Sequence, residues 1–373
     1  MKIAFLFSPW GAGNRPLDFK ELWTSSRGLT GSDLGIAIIA KEMVKRGHEV
    51  SLFTFHTDPA NKLESWEGVK LYNFEDAATV IKPDWDAVIS WNEPDALRGI
   101  SKKPLRICNQ MLNDFTYCKP GFDDFVDVWC SPCQMHMEHL KKTAPDPKKW
   151  TVLPLGCEPS WYKDGPRVPG RVVWTSSADR GLHLLLQEWP KIKAAVPEAH
   201  LKVFYNFNYS HIENLEFNDQ NTHPHVKEIA NRARYMMEMM KRLKPLGVEH
   251  VGSISRARME QELSEAMVLA YPVSTVAFTE GFSISIMESC AAGVFPVISD
   301  ADCLGSIYGG TVPMVKSPAG EHMAEFDSLV IKGLTDSSYR SEVIDKCKKF
   351  SLNYTWTSIA EKLETLIKKY PEI

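Results

Sequence analysis

Short apolar runs alternate with amphipathic segments along almost the whole chain, and this rhythm restricts the fold more than any other feature. "KIAFLF" at residues 2–7 reads as a buried strand. After a long loop, "SDLGIAIIAKEMVKRGHEV" reads as a helix with Ser32 as its N-cap and Gly47 as its stop. Further strands are expected in "EVSLFTF", "VKLYNF", "DAVISW", "LRICNQ", "DVWCS" and "WTVLPLG". Strands and helices in alternation call for a parallel sheet with helices on both faces.

The rhythm stops at "CEPSWYKDGPRVPG", residues 157–170, a stretch rich in proline, glycine and charge that reads as a linker. It then restarts with "RVVWTSS", a helix from Gly181, "LKVFYN", a long helix near 225–244, "VEHVGS", "VLAYPV", a helix from about Ser283, and "VFPVIS". The tail "TWTSIAEKLETLIKKY" reads as one more helix packing across both halves. At 373 residues the chain exceeds what one core usually serves. The expected architecture is α/β, with two doubly wound halves facing each other across a cleft. The boundaries fall at 1–160, 161–352 and a closing helix at 353–373.

With 44% hydrophobic and 24% charged residues and a formal net charge of −4, the chain has the composition of an ordinary globular protein. That balance argues against a strongly electrostatic partner such as bulk nucleic acid or an anionic membrane. "IAFLF" is too short for a secretory core, and no apolar run reaches the roughly 20 residues that span a bilayer. The eight scattered cysteines suit reduced thiols in a cytoplasm better than a disulfide framework.

Open parallel sheets bind ligands beyond the carboxyl ends of their strands, so the loops that leave a strand and open a helix carry the chemistry. The first, "SPWGAGNRPLDFKELWTSSRGLTGSDLG", is long; Gly28 and Gly31 allow a close backbone approach, and free amides at Ser32 and Asp33 suit an anion or hydroxyls. It lacks the dinucleotide spacing of glycines. "TSSADRGLHLLL" sets Arg180 just before a helix start, where guanidinium and helix dipole favour a diphosphate. In "YPVSTVAFTEGFSISIMESCAAGVFPVIS", Glu280 lies in a loop after an apolar strand and Glu288 in the second turn of the helix that follows. A carboxylate among small and apolar residues is costly to bury without partners. Two acceptors about 8 Å apart along the axis match the hydroxyls at the two ends of a nucleotide sugar, the hexose at Glu280 and the ribose at Glu288.

"WCSPC" at 129–133 has the appearance of a thiol–disulfide site, and His136 and His139 add a zinc reading. Both fit poorly. The motif comes after at least four strands, and the four ligand types are three residues apart without the spacer that folds two pairs around one ion.

Glu280 and Glu288 in "EGFSISIMESCAAG" meet the E-x7-E pattern of the retaining GT-B glycosyltransferases, the large group that includes sucrose synthases and many bacterial mannosyl- and glucosyltransferases. The chain resembles that family, in particular its "GGSE" type, over nearly its full length. "GSDLGIAIIAKEMVKRGHEVSLFT", "VLPLGCEP", "SSADRGLHLLLQEWPKIKAAVPEAHLKVF" and "FSLNYTWTSIAEKL" are similar to its first helix and second strand, the close of its N-terminal domain, the start of its donor domain and its closing helix. The resemblance implies a GT-B fold whose C-terminal helix crosses back to the first domain. It implies transfer of a hexose from a UDP- or GDP-sugar co-substrate to a hydroxyl acceptor with retention and without a metal. Arg180 would bind the diphosphate, Glu280 the transferred sugar and Glu288 the ribose. Amides of Gly281, Phe282 and Ser283 would meet sugar or phosphate, and Gly31 would approach the diphosphate from the N-terminal side.

Two departures stand out. Thr175–Ser177 occupy the place of a second basic residue, and Asn109 or Gln110 that of a histidine near the donor sugar. "DAD" at Asp300–Asp302 mimics a metal motif of another glycosyltransferase fold but only follows a strand here. Trp10, Trp23 and Arg27, with Asn109 and Gln110, are the acceptor-side candidates, for a glycan, a small molecule or a modified nucleobase. The basic residues of the long helix, Lys227 to Lys244, read as a solvated face. The competing functions are a thiol–disulfide oxidoreductase using Cys130 and Cys133, and a non-catalytic nucleotide or glycan binder of the same fold.

Overall fold

In the computed structural model, residues 1–9, 16–55, 63–144, 149–204 and 224–370 are described, which leaves Trp10 outside the described residues. The run Lys2–Phe7 forms β1, buried from Ile3 onward because it lies inside a sheet with a parallel neighbour on each side. The chain divides into two compact units. One comprises Met1–Thr24, Leu29–Gly156 and Tyr354–Ile373, the other Ser25–Gly28 and Cys157–Asn353.

The first unit continues with α1 (Gly31–Lys45), β2 (Glu49–Thr54), β3 (Ser65–Trp66), β4 (Val69–Asn73), α2 (Ala77–Val80) and β5 (Ala87–Trp91). Then come β6 (Leu105–Asn109), β7 (Val128–Ser131), α3 (Gln134–Lys141) and β8 (Trp150–Val152). Its sheet has the order β3-β4-β2-β1-β5-β6-β7-β8, parallel except where β3 meets β4. Helix α1 starts two residues earlier than expected. Thr30, not Ser32, is the N-cap: its Oγ1 accepts from the Asp33 amide at 3.2 Å while Asp33 Oδ2 accepts from the Thr30 amide at 2.9 Å. The Asp33 amide is therefore committed, and Ser32 sits within the first turn. Gly47, at φ +84°, ends the helix with its amide on Val44 O at 2.9 Å.

The second unit holds β9 (Arg171–Trp174), α4 (Leu182–Ala195), β10 (His200–Val203), α5 (Pro224–Leu243), β11 (Val248–His250), α6 (Arg256–Glu265) and β12 (Val268–Tyr271). It ends with α7 (Ile284–Ala292), β13 (Phe295–Ser299), α8 (Leu304–Tyr308), β14 (Met314–Val315), α9 (Met323–Thr335) and α10 (Ser337–Ser351). All its described strand pairs are parallel, in the order β11-β10-β9-β12-β13-β14. From β9 the chain winds outward one way, and from β12 the other. The topological switch point therefore lies between β9 and β12, the place where open sheets of this kind bind ligands.

The last helix, α11 (Trp356–Lys369), belongs to the first unit and packs on α1. Trp356 lies so close to Gly156 that a Cβ there would come within 2.6 Å of its indole, and Thr357 Oγ1 donates to Glu42 Oε2 at 3.1 Å. Arg46 Nε donates to Glu364 Oε2 at 2.6 Å from the other end. No described helix is long and apolar enough to cross a membrane.

Candidate functional site

Arg180 and Glu280 come from the two loops that flank the switch point of the second unit. Arg180 closes the turn between β9 and α4; Glu280 lies in the loop between β12 and α7. Gly181 makes the first loop possible: at φ +122°, a Cβ would collide with the Pro272 carbonyl oxygen, so only glycine lets the two loops meet. The Arg180 carbonyl accepts from the Ser274 amide at 3.0 Å, which fixes one loop to the other.

The two side chains form an ion pair through Arg180 Nη1 and Glu280 Oε1. Burial works against the charge of Arg180, but Glu280, Tyr271 and Asp179 outweigh it and raise its pKa above that of free arginine. Tyr271 completes the group; its hydroxyl meets Ser176 Oγ at 2.8 Å, and burial, then the Glu280 charge, push its phenol up. The Glu280 carboxylate is fully buried, and its second oxygen, Oε2, has no hydrogen-bond partner. An unfilled buried acceptor of this kind costs stability.

The loop carrying Glu280 is held from behind by Asp302, which the sequence offered only as part of a metal-motif mimic, and by Cys303 and Tyr308, which it did not single out. Asp302 Oδ2 accepts from the amides of Thr279 and Glu280, both at 2.9 Å, and the Cys303 amide donates to Glu280 O at 3.1 Å. Tyr308 donates its hydroxyl to the carbonyls of Phe282 and Ser283 at 2.9 and 3.0 Å. The Gly281 amide is committed to Thr279 O at 3.1 Å. Ser283 caps α7 at φ +64°, a conformation that costs a non-glycine residue about 1–3 kcal/mol, and its side chain makes no capping bond to the first turn. The strained cap therefore leaves first-turn amides of α7 without a side-chain acceptor. Asp302 and Asp300 are thus structural acceptors: Asp300 takes Lys316 Nζ at 3.0 Å and the Ser317 amide at 2.6 Å. Among the described residues no three His, Cys, Asp or Glu side chains converge as metal ligands would.

Glu288 lies in the second turn of α7, buried as its neighbours predict, and forms an ion pair with Arg256 of α6 at 2.6 Å. Arg256 was not foreseen, because nothing in local spacing connects residue 256 to residue 288. Thr175, the first residue of the Thr175–Ser177 stretch expected in place of a second basic residue, places its carbonyl on Ser285 Oγ at 3.0 Å and leaves its own buried hydroxyl without a partner.

In the first unit, Asn92 joins two of the expected positions. Its Nδ2 donates to Ser32 Oγ at 3.2 Å, and its Oδ1 accepts from the Met111 amide at 3.1 Å, next to Asn109 and Gln110. Asn109 is fully buried with both amide atoms unpartnered, whereas Gln110 Nε2 donates to Tyr117 OH at 2.7 Å. Gly31 is the first residue of α1. Trp23 is half-buried and Arg27 exposed.

The "WCSPC" residues are framework. Cys130 is buried, and burial pushes its thiol up, the opposite of a reactive thiolate. Cys133 is the N-cap of α3, accepting the His136 amide at 3.3 Å. Ser131 ends β7 and meets His136 Nδ1 at 2.7 Å. His136 Nε2 lies 3.0 Å from Asn113 Oδ1, and His139 Nε2 3.1 Å from Asn113 O, so both rings secure the loop after β6. Burial, and then His139, lower the His136 pKa to about 4, so the ring stays neutral near pH 7.

No protein-family model and no curated protein matches this chain. Solved structures do. Sucrose-phosphate synthase from Thermosynechococcus elongatus aligns over 99% of this chain and 98% of its own at 13% identity, with a TM-score of 0.71. HepE of Anabaena, in complex with UDP and glucose, aligns over 99% and 100% at 12% identity and 0.66. The UDP-forming trehalose-phosphate synthase of Burkholderia vietnamiensis aligns over 99% and 98% at 11% identity and 0.69. The fold is GT-B: two parallel-sheet α/β domains, matched end to end.

Proposed function

We propose that this protein is a glycosyltransferase of the E-x7-E type, which moves a hexose from a nucleoside-diphosphate sugar to a hydroxyl acceptor with retention of configuration. The observation that carries the proposal is the Arg180–Glu280 pair at the switch point, with one buried carboxylate oxygen unfilled and Glu288 eight residues further along the same loop and helix. Arg180 and the first-turn amides of α7 receive the diphosphate. Glu280 Oε2 accepts a hydroxyl of the transferred sugar, and Glu288 accepts from the ribose. Gly31 and Ser32 of α1 complete the donor residues.

In the transfer the bond from the anomeric carbon to the phosphate oxygen breaks, its electron pair stays on the diphosphate, and the acceptor oxygen bonds from the same face. The acceptor proton passes to the departing phosphate oxygen. The protein contributes position and charge: Arg180 and helix amides stabilise the growing negative charge. Because these groups supply that stabilisation, turnover is expected to persist in a chelator. UDP-sugars are the first donors to test, since HepE was solved with UDP and glucose. GDP-sugars are the second. On the acceptor side, Trp10, Trp23 and Arg27 before α1, with Asn109 and Gln110 after β6, are proposed to meet a glycan, small molecule or modified base. The unpartnered amide of Asn109 supports a hydroxyl ligand there. Eight free cysteines support a reducing compartment such as a cytoplasm.

The test is a thermal-shift screen of nucleotides and nucleotide sugars, followed by donor hydrolysis with wild type and Glu280→Gln. A donor raises the melting temperature, and hydrolysis falls at least about 100-fold in the variant. If no nucleotide or nucleotide sugar stabilises the protein, the reading is wrong.

A further inference from the structure

The Arg256 guanidinium is engaged on several sides. Nη1 forms an ion pair with Glu288 Oε1 at 2.6 Å, a charge contact without hydrogen-bond geometry, Nη2 donates to Tyr162 OH at 3.0 Å, and Nε donates to Glu260 Oε1 at 3.2 Å, one turn along α6. The flat face lies over the Trp161 ring, 4.9 Å from its centroid. Arg256 and Glu288 are each only 6% exposed. Three separate pieces of chain thus clamp the cation: the turn at Trp161–Tyr162, helix α6 and helix α7.

That investment exceeds what neutralising a carboxylate requires. A lysine would cancel the charge, but it could not satisfy a phenol, two carboxylates and a ring at once. A guanidinium clamped in this way fixes the direction of the carboxylate it holds. We infer that Arg256 is a positioning residue for donor recognition: by holding Glu288 Oε1, it aims the remaining oxygen, Oε2, at the ribose hydroxyls of the nucleotide. The inference rests on the sugar-nucleotide reading above and adds to it the residue that makes Glu288 competent. Arg256 itself touches no reacting atom.

The test compares UDP and GDP with their 2′-deoxy and 3′-deoxy counterparts, by calorimetry on wild type, Arg256→Gln, Arg256→Lys and Tyr162→Phe. Wild type is expected to prefer the ribonucleotide by on the order of tenfold or more, the worth of a hydrogen bond to a charged group. In Arg256→Gln the preference shrinks to within about twofold, because Glu288 no longer holds its direction. Donor KM rises while kcat at saturating donor changes less than about threefold, as expected for loss of an interaction equal in ground and transition states. Arg256→Lys restores stability without restoring the preference. A merely structural role would lower stability and leave the preference intact. If Arg256→Gln does not fold, Arg256→Lys and Tyr162→Phe decide: an undiminished preference for the ribonucleotide in both overturns the inference. Wild type that binds nucleotides while the variants keep full discrimination rejects the positioning role alone. Wild type that binds no nucleotide rejects the underlying reading.

Discussion

The Arg180–Glu280 pair is asymmetric, and the asymmetry makes a prediction that a count of ion pairs would not. Glu280 is 0% exposed and the Arg180 side chain 30%. Arg180→Met leaves a carboxylate sealed in the interior, with one oxygen already unpartnered. Breaking a buried pair in this way costs about 3–5 kcal/mol. Glu280→Gln leaves a guanidinium on a side chain that is 30% exposed, and the amide oxygen still accepts from it, so the expected cost is only about 1–2 kcal/mol. The double variant, Arg180→Met with Glu280→Gln, removes the stranded charge and is expected to be more stable than Arg180→Met alone, by about 1–3 kcal/mol. The assay is urea unfolding followed by both fluorescence and circular dichroism. Free energies are assigned only where the two probes coincide, since two units need not unfold as one. A second signature follows from linkage. In Arg180→Met the sealed carboxylate escapes its penalty by taking a proton, so the deficit against wild type narrows as pH falls from 8 towards 5. Equal costs for the two single variants, or a double variant that is simply additive, would refute the reasoning.

Other expectations follow from residues behind the site. Asp302→Ala frees the amides of Thr279 and Glu280 and is expected to lower kcat/KM for the donor by about 10–100-fold, through misplacement of Glu280; a wild-type rate would show that Asp302 does not shape the site. Asp327, on α9, is pushed up to about 7 by burial and by the adjacent Glu188, with Lys191 opposing. Its folded pKa lies above the unfolded value, so its native site is most favourable when protonated at low pH and loses that advantage as pH rises through about 4 to 7. Asp327→Asn is therefore expected to gain on wild type by a few kcal/mol, on the order of the linkage, at pH 8 and by little at pH 4, as read by melts across that range. Cys130→Ser with Cys133→Ser is expected to leave donor hydrolysis within about twofold of wild type, because burial pushes the Cys130 thiol up and Cys133 serves as a helix cap. Loss of turnover there would reopen the thiol reading.

Much of the framework was legible because burial writes a period into the sequence. The apolar runs expected as strands form β1, β2 and β4–β13, and the helices expected from Gly181, Ser283 and the tail are α4, α7 and α11. What was missed has physical reasons. Strands β3 and β14 are two residues each, too short to carry a period of two. The α1 cap was misplaced because Thr30 and Ser32 are both capping residues, and the deciding fact is that Asp33 stands three after Thr30 and closes the box. At α3 the cap is a cysteine thiol, a weak acceptor that composition rules do not rank among capping residues.

The site divides along a similar line, between what one element carries and what folding brings together. Glu280 and Glu288 are eight residues apart on a loop and its helix, so their separation follows from the helix rise and is readable. Their partners are not. The counter-charges Arg180 and Arg256 come from the β9 loop 100 residues earlier and from the start of α6, and the loop-holding acceptor Asp302 from beyond β13, each fixed by strand order rather than spacing. A buried carboxylate seen in sequence is an unpaid cost, which says that a partner exists without saying where. The switch point narrows the search for Glu280, because only the loops after β9 and β12 meet there, and Arg180 is the basic residue in the first of them. Glu288 has no such rule to help it. It lies a full turn inside α7, where any of several elements could supply a cation, and only the packing of α6 and the Trp161 turn selects Arg256. For that reason a chain that keeps the two glutamates but has no cation at position 256 or in an equivalent place is expected to bind the sugar end of the donor better than the ribose end.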